Sequence, residues 1–297
     1  MFSTGLGPLA DSFFALTTML IAIPTGVKIF NWIATLWGGK IELKTPMLFA
    51  LGFIVLFTMG GLSGFMHASP PADLQQTDTY FVVAHLHYVL FGGSIMGIFA
   101  GLYYWFPKMT GRMMNEGLGK LHFWLTMIAM NVAFFPMHFV GLLGMPRRIY
   151  TYPPNLGFND MNLVSTIGAL TLGASMLLFV ANVLISRKGG KPAGNDPWGG
   201  ASLEWAIPSP PPVYNFGTIP TVYSLDPLWH KESRDAALAS NQVRGHIHMP
   251  PNSYWPALSA LGVTMLLSGM VYGFWVGIPG LVIMLVSFYS WAFEPCT

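Results

Sequence analysis

The chain has 297 residues, 53% of them hydrophobic and only 9% charged, with a mean hydropathy of +0.52 and a formal net charge of +2. A soluble domain carries about 25% charged residues, so this composition excludes an ordinary soluble enzyme and marks an integral membrane protein; the net charge says little about partners, and nucleic acid is not expected among them. The single cysteine, Cys296, excludes an internal disulfide or a thiolate cluster, and the lack of a C-x-x-C-H motif excludes covalently attached haem.

No cleavable signal peptide is legible, because Met1 to Asp11 is a Gly-rich mixture without a basic start. Five long apolar runs follow, near 12–36, 46–66, 80–106, 121–143 and 162–186. Each can cross a hydrocarbon core of ~30 Å at ~1.5 Å per residue. A polar, Pro-rich segment over 191–254, including Pro208-Ser209-Pro210-Pro211-Pro212, reads as extended surface rather than a domain. Two further runs, near 256–275 and 279–294, are separated by Gly277-Ile278-Pro279-Gly280 and predict a transmembrane hairpin within 255–297. The expected fold is all-α: a polytopic membrane helix bundle of five core transmembrane helices over 1–190, plus a C-terminal two-helix hairpin. No internal repeat is visible.

Loop charges set the orientation. Lys40 and Lys44 follow run one, Lys108, Arg112 and Lys120 follow run three, and Arg187, Lys188 and Lys191 follow run five. These loops should face the cytoplasm. The loop after run two carries Asp73 and Asp78 without Lys or Arg and should face outward.

Run one contains Ile23-Pro24-Thr25-Gly26-Val27-Lys28. Lys28 lies about eight residues, or ~12 Å, from the cytoplasmic end, farther than its stem reaches. An intramembrane lysine is costly and marks a cavity, a proton route or a partner; the alternative is a tilted, snorkelling side chain. Thr25 lies on the same face, one turn earlier.

Run three opens with Val83-Ala84-His85-Leu86-His87-Tyr88. Residues two apart on a helix are separated by roughly 200° and roughly 3 Å of rise. The two imidazoles therefore leave on opposite sides and cannot share one metal, yet each suits an axial position on haem iron. Such a helix looks like a post between two metal centres; the alternative is a pair of core histidines. Both lie roughly 8–10 Å below the outer surface. The outward loop after run four holds Arg147 and Arg148 in Gly144-Met145-Pro146-Arg147-Arg148. Cations on that side invite a bound anion, carboxylates above all, or contact with lipid phosphate.

Other histidines read as less specific. His138 is expected to pack or hydrogen-bond, His67 to lie at an interface, and His122 to be structural. His246 and His248 repeat the spacing of the key pair in the Pro-rich segment, where metal binding is a weak alternative. Glu116 is expected to be a solvated loop residue.

Over about residues 1–215 these motifs resemble subunit I of the haem-copper terminal oxidases, specifically the cytochrome c oxidase type. The resemblance is carried by Ile21 to Lys28, Asp78 to Tyr88 and Gly144 to Arg148, with Leu203-Glu204-Trp205 and the following prolines similar to the end of bacterial subunits. It implies that His85 binds the iron of a high-spin haem and His87 that of a low-spin haem, both of the haem A type. Lys28 and Thr25 would belong to a proton pathway, and Arg147 and Arg148 would hold haem propionates. Asp73 and Asp78 would lie in the propionate and magnesium region. Tyr88 favours the cytochrome c type over quinol-oxidising relatives, which usually carry Asn there.

Two departures are visible. Thr77 stands where the family often has a magnesium-binding His, which puts magnesium at Asp78 in doubt, and Leu86 replaces a common Phe. The copper ligands and the second low-spin haem ligand would lie upstream of Met1. The isolated chain is therefore expected to be inactive, a truncated fragment or one half of a split subunit. The implied partners are the N-terminal part of subunit I, oxidase subunits II and III, cytochrome c, dioxygen and membrane lipid, in a bacterial inner membrane with the haem side outward. The alternatives are a quinol-oxidising or nitric-oxide-reducing relative, and a proton-coupled transporter using Lys28, His85 and His87 without haem.

Overall fold

The computed structural model describes residues 2–239, 247 and 252–295. His246, His248 and Cys296 lie outside the described residues. The described chain is helical, with isolated β-bridges at Thr79–Pro146 and Arg112–Pro192. It divides into two compact units, 1–198 and 199–297. Seven helical stretches among the described residues are long and apolar enough to cross a membrane.

In the first unit, run one is not a single helix. It forms α1 (Pro8–Leu20) and α2 (Ala22–Leu36), with a turn at Ile21. Pro24 supplies the reason: it has no N–H to donate to the Leu20 carbonyl, and its ring crowds that oxygen. Next come α3 (Thr45–Ala68), the short α4 (Pro70–Gln76) and α5 (Tyr80–Val89). A single π-helical segment, Leu90–Ile95, joins α5 to α6 (Met96–Thr110). Run three is thus one span with a π-turn three residues past His87, of the kind found at functional sites. Lys108 falls in the last turn of α6 rather than in the following loop; it is buried, and its Nζ donates to the Asn195 carbonyl at 3.0 Å. The unit is completed by α7 (Glu116–Leu142) and α8 (Asn159–Gly189).

The core lies between α3, α5, α6 and α7: Phe49, Leu56, Tyr88, Met96, Phe99, Tyr103, Phe123 and Met130 are all buried. Glycines let the helices meet at backbone distance. A Cβ on Gly60 would lie 2.9 Å from the Tyr88 carbonyl carbon, and one on Gly92 would lie 2.7 Å from Leu56 Cβ. His122 is fully buried in a ring cage with Phe49 and Phe99, centroids 5.0 and 4.7 Å away. Glu116 is not merely solvated: its Oε1 accepts from the Thr45 backbone N–H at 2.8 Å, satisfying a donor at the start of α3.

In the second unit, α9 (Lys231–Ala239) is a short helix within the stretch read as extended. The terminal hairpin is α10 (Trp255–Tyr272) and α11 (Phe274–Ala292). Its turn is at Gly273, φ 91°, not at 277–280. Gly277 and Gly280 instead lie inside α11 against α10, where a Cβ on Gly269 would approach Gly277 Cα to 2.5 Å. Small residues at a helix crossing are the usual device for close packing in lipid, which is why a Gly-rich stretch here signals contact rather than a turn.

Candidate haem-binding helix

Helix α5 begins where Thr79 caps it, its side chain accepting from the Phe81 N–H at 3.2 Å. The preceding residues pair with the loop after α7. Tyr80 N–H donates to the Met145 carbonyl at 3.0 Å and Arg147 N–H to the Asp78 carbonyl at 2.9 Å. Asp78 and Arg148 adopt positive φ, 57° and 64°, at the two ends of this short pairing. The pairing brings Arg147 to Asp78: its Nε and a terminal nitrogen contact Asp78 Oδ1 at 2.9 and 2.5 Å.

His85 and His87 face different helices, as the two-residue spacing requires. His85 turns to α3. Its Nδ1 lies 3.0 Å from the Gly60 carbonyl and 2.9 Å from Ser63 Oγ, while Ser63 Oγ is itself 2.9 Å from that carbonyl. His87 turns to α7. Its Nδ1 lies 2.7 Å from the Val83 carbonyl one turn back, and its ring stacks on Phe134 with centroids 3.9 Å apart. A carbonyl oxygen can only accept, so Nδ1 carries the proton in both rings. Nε2 then keeps its lone pair, and no protein hydrogen bond engages Nε2 of either residue among the described residues. This is the arrangement a metal-ligating histidine needs: one nitrogen fixed by an outer partner, the other free to coordinate. The two side chains therefore fit the axial positions of two separate haems.

Around them, Gly64 leaves room for the His85 ring, since a Cβ there would lie 2.9 Å from its Cε1. Tyr88 is fully buried, and its hydroxyl donates to Asn131 Oδ1 at 2.7 Å. His138 packs on Phe81 and Tyr88, with centroids 4.9 and 5.4 Å away. The His67 ring, for which the sequence suggested only an interface position, meets the His85 ring with centroids 4.9 Å apart. Gly60, Ser63, His67 and Phe134 carry no sequence signal of their own; only their spacing on α3 and α7 relative to α5 could have suggested them.

The remaining predicted residues are placed as follows. Arg148 is exposed, beside Arg147 but without a partner among the described residues. Asp73 lies 3.3 Å from His67 Nδ1. Asp78 is engaged by Arg147, and among the described residues no group of three or more His, Cys, Asp or Glu is arranged to hold a metal ion. These carboxylates alone do not fit magnesium, which needs several oxygen ligands. Lys28 and Thr25 share a face of α2: Lys28 is exposed, and Thr25 Oγ1 donates to the Ile21 carbonyl at 2.9 Å. The fold does not bring this pair to His85 by any direct contact. A cavity of about 660 Å³ lies toward the Lys40–Lys44 loop and shares no residue with the histidine site.

Residues 1–171 match the family described as Cytochrome C and Quinol oxidase polypeptide I. The chain is 48% identical over 297 residues to cytochrome c oxidase subunit 1 of Bacillus sp. (strain PS3), covering 97% of this chain and 48% of that protein. It is 53% identical over 222 residues to cytochrome c oxidase subunit 1 of Thermostichus vulcanus, covering 75% and 40%. It is 44% identical over 297 residues to quinol oxidase subunit 1 of Bacillus spizizenii, covering 99% and 46%. A solved structure of a heme-copper terminal oxidase dimer superposes with a TM-score of 0.55 at 21% identity, over 64% of this chain and 39% of that one, a likeness of fold. The chain spans about half the length of the curated relatives it matches. The chain belongs to the cytochrome c and quinol oxidase polypeptide I family of membrane proteins.

Proposed function

We propose that this chain is part of the catalytic subunit of a respiratory cytochrome c oxidase, in which two haems hang on α5 and dioxygen is reduced to water with coupled proton translocation. The observation that carries this reading is the pair of imidazoles held through Nδ1 on opposite sides of one helix. The haems, of type A in this reading, supply electron transfer and dioxygen binding when bound. The chain's own part is to hold and orient them. Gly60, Ser63 and Val83 fix the two imidazoles, and Phe134 lies flat against His87. Held this way, the two imidazoles would present one haem to each side of the same helix, and the haems would supply electron transfer between those two sides.

Arg147 and Arg148 serve the propionates. Arg147 is held by Asp78 through Nε and one terminal nitrogen, so its other terminal nitrogen and the open Arg148 would be the groups that meet the propionates. The Asp78–Arg147 pair has one well-exposed partner, so its own stabilisation is about 0–1 kcal/mol. Asp78→Asn should therefore leave thermal stability within that range while shifting the reduction potential of a haem, checked by redox titration of the purified complex. Copper would be bound by residues outside this chain, and partners would include the rest of subunit I, subunits II and III, cytochrome c and dioxygen, in a bacterial plasma membrane with the haem side outward. Protons would enter from the cytoplasmic side past Lys28 and Thr25. Lys28→Met should slow proton-coupled turnover at least about tenfold, by the loss of a positioned proton carrier, with both haems still bound; oxygen uptake and visible spectra check this together.

Oxygen uptake by membranes carrying the complex, supplied with reduced cytochrome c or with a quinol, tests the donor. Turnover with cytochrome c supports the reading. Turnover with quinol alone selects the quinol-oxidising alternative, which the 44% identity to a quinol oxidase subunit keeps in view.

A further inference from the structure

The fold adds one residue to the His85 site that neither the motifs nor the proposed roles include. His67, in the last turn of α3, meets the His85 ring at an interplanar angle of 62°, with centroids 4.9 Å apart. Phe81 packs edge-on against it at 5.3 Å. Asp73, in α4, lies 3.3 Å from His67 Nδ1, and both side chains of that pair are largely buried. His67 Nε2 is buried with no hydrogen-bond partner among the described residues. An apolar side chain would fill this space without leaving a polar atom unpaired.

We propose that His67, anchored by Asp73, is a positioning residue that sets the ring plane of His85. The inference rests on the reading of His85 as a haem ligand. Gly60 and Ser63 both contact the same atom of His85, Nδ1, so their hydrogen bonds restrain the ring from one edge only, within the give of a bond of 2.9–3.0 Å. A second contact, away from Nδ1, narrows the range of ring planes that these bonds allow. The His67 ring supplies one, and Asp73 and Phe81 hold that ring in turn. The plane of an axial imidazole sets its overlap with the metal and with the ring nitrogens around it, so its orientation is readable in the iron–histidine bond.

The test uses the assembled oxidase complex containing this chain, with haem content and the iron–histidine stretching band of the reduced complex as readouts. His67→Ala is expected to keep both haems while the band shifts or broadens beyond its native width. His67→Phe, which restores a ring, should return most of the native band, and Asp73→Asn should move it in the same direction as His67→Ala but less. A native band in His67→Ala overturns the proposal, as does a His67→Phe band displaced as far as that of His67→Ala. If His67→Ala does not assemble, an unmoved band in Asp73→Asn overturns it. His85→Ala separates the two ideas: retention of the band and of both haems there sinks the haem assignment itself, whereas loss of the band there with no effect at His67 sinks only the positioning role.

Discussion

Replacing His85 by alanine is expected to remove one of two haem signals from the assembled complex and to abolish oxygen reduction. The effect should exceed the 10–100-fold loss that follows removal of an outer-shell partner, because no other described side chain can take its place. His67 is the nearest other imidazole, but its Nδ1 faces Asp73 and its Nε2 is already buried. Ser63→Ala should be milder, since the Gly60 carbonyl still accepts from His85 Nδ1 at 3.0 Å; a loss of about tenfold in haem retention is the expectation. His87→Ala should remove the other haem signal and leave the His85 band in place, because the two imidazoles share no hydrogen-bond partner. Visible difference spectra of the three variants check all of this. Loss of both haems in each single variant would show that α5 does not present two independent sites.

The second large effect is mechanical. Gly141, near the end of α7, sits directly against the Phe81 backbone: a Cβ there would overlap the Phe81 nitrogen and lie 2.8 Å from its Cα. Backbone cannot swing aside as a flexible side chain can, so even Gly141→Ala forces α7 away from the start of α5. Overpacking of this kind costs about 1–3 kcal/mol, and Gly141→Val more. The displaced segment carries Phe81, which packs on His67 and His138. The expected result is a lower melting temperature for Gly141→Ala and failure of Gly141→Val to accumulate in the membrane. Gly26→Ala is the control, because nothing lies within 4 Å of a Cβ at that position, and it should behave as wild type in the same melting assay.

Much of this molecule is legible from residue type and spacing. An apolar run long enough to cross a bilayer leaves the backbone few options besides helix, because its polar groups must be satisfied internally; hence the spans near α3, α7 and α8 are foreseeable to within a few residues. The His-x-His spacing likewise commits the imidazoles to opposite sides whatever surrounds the helix. Boundaries were less legible where one residue type serves two ends. Glycine marks turns and close helix contacts alike, so Gly277 and Gly280 suggested a loop where the structure has a helix crossing and the turn falls at Gly273. Lys108, read as a loop charge, is buried because the Asn195 carbonyl reaches it from far along the chain.

By itself the sequence determined the class of the protein, its all-helical build and the pair of histidines, because each follows from local composition or from the fixed geometry of a helix. Only the tertiary structure decided which nitrogen of each imidazole is left to coordinate, since that depends on the Gly60 carbonyl of α3 in one case and on the rotamer that reaches the Val83 carbonyl in the other. It also decided that Arg147 faces Asp78 and that His67 stands against His85. Apart from the one-turn contact to Val83, these are contacts between well-separated segments of the chain, and no periodicity encodes them. They arise because glycines at positions 60, 64 and 141 let α3, α5 and α7 approach closely enough for those side chains to meet.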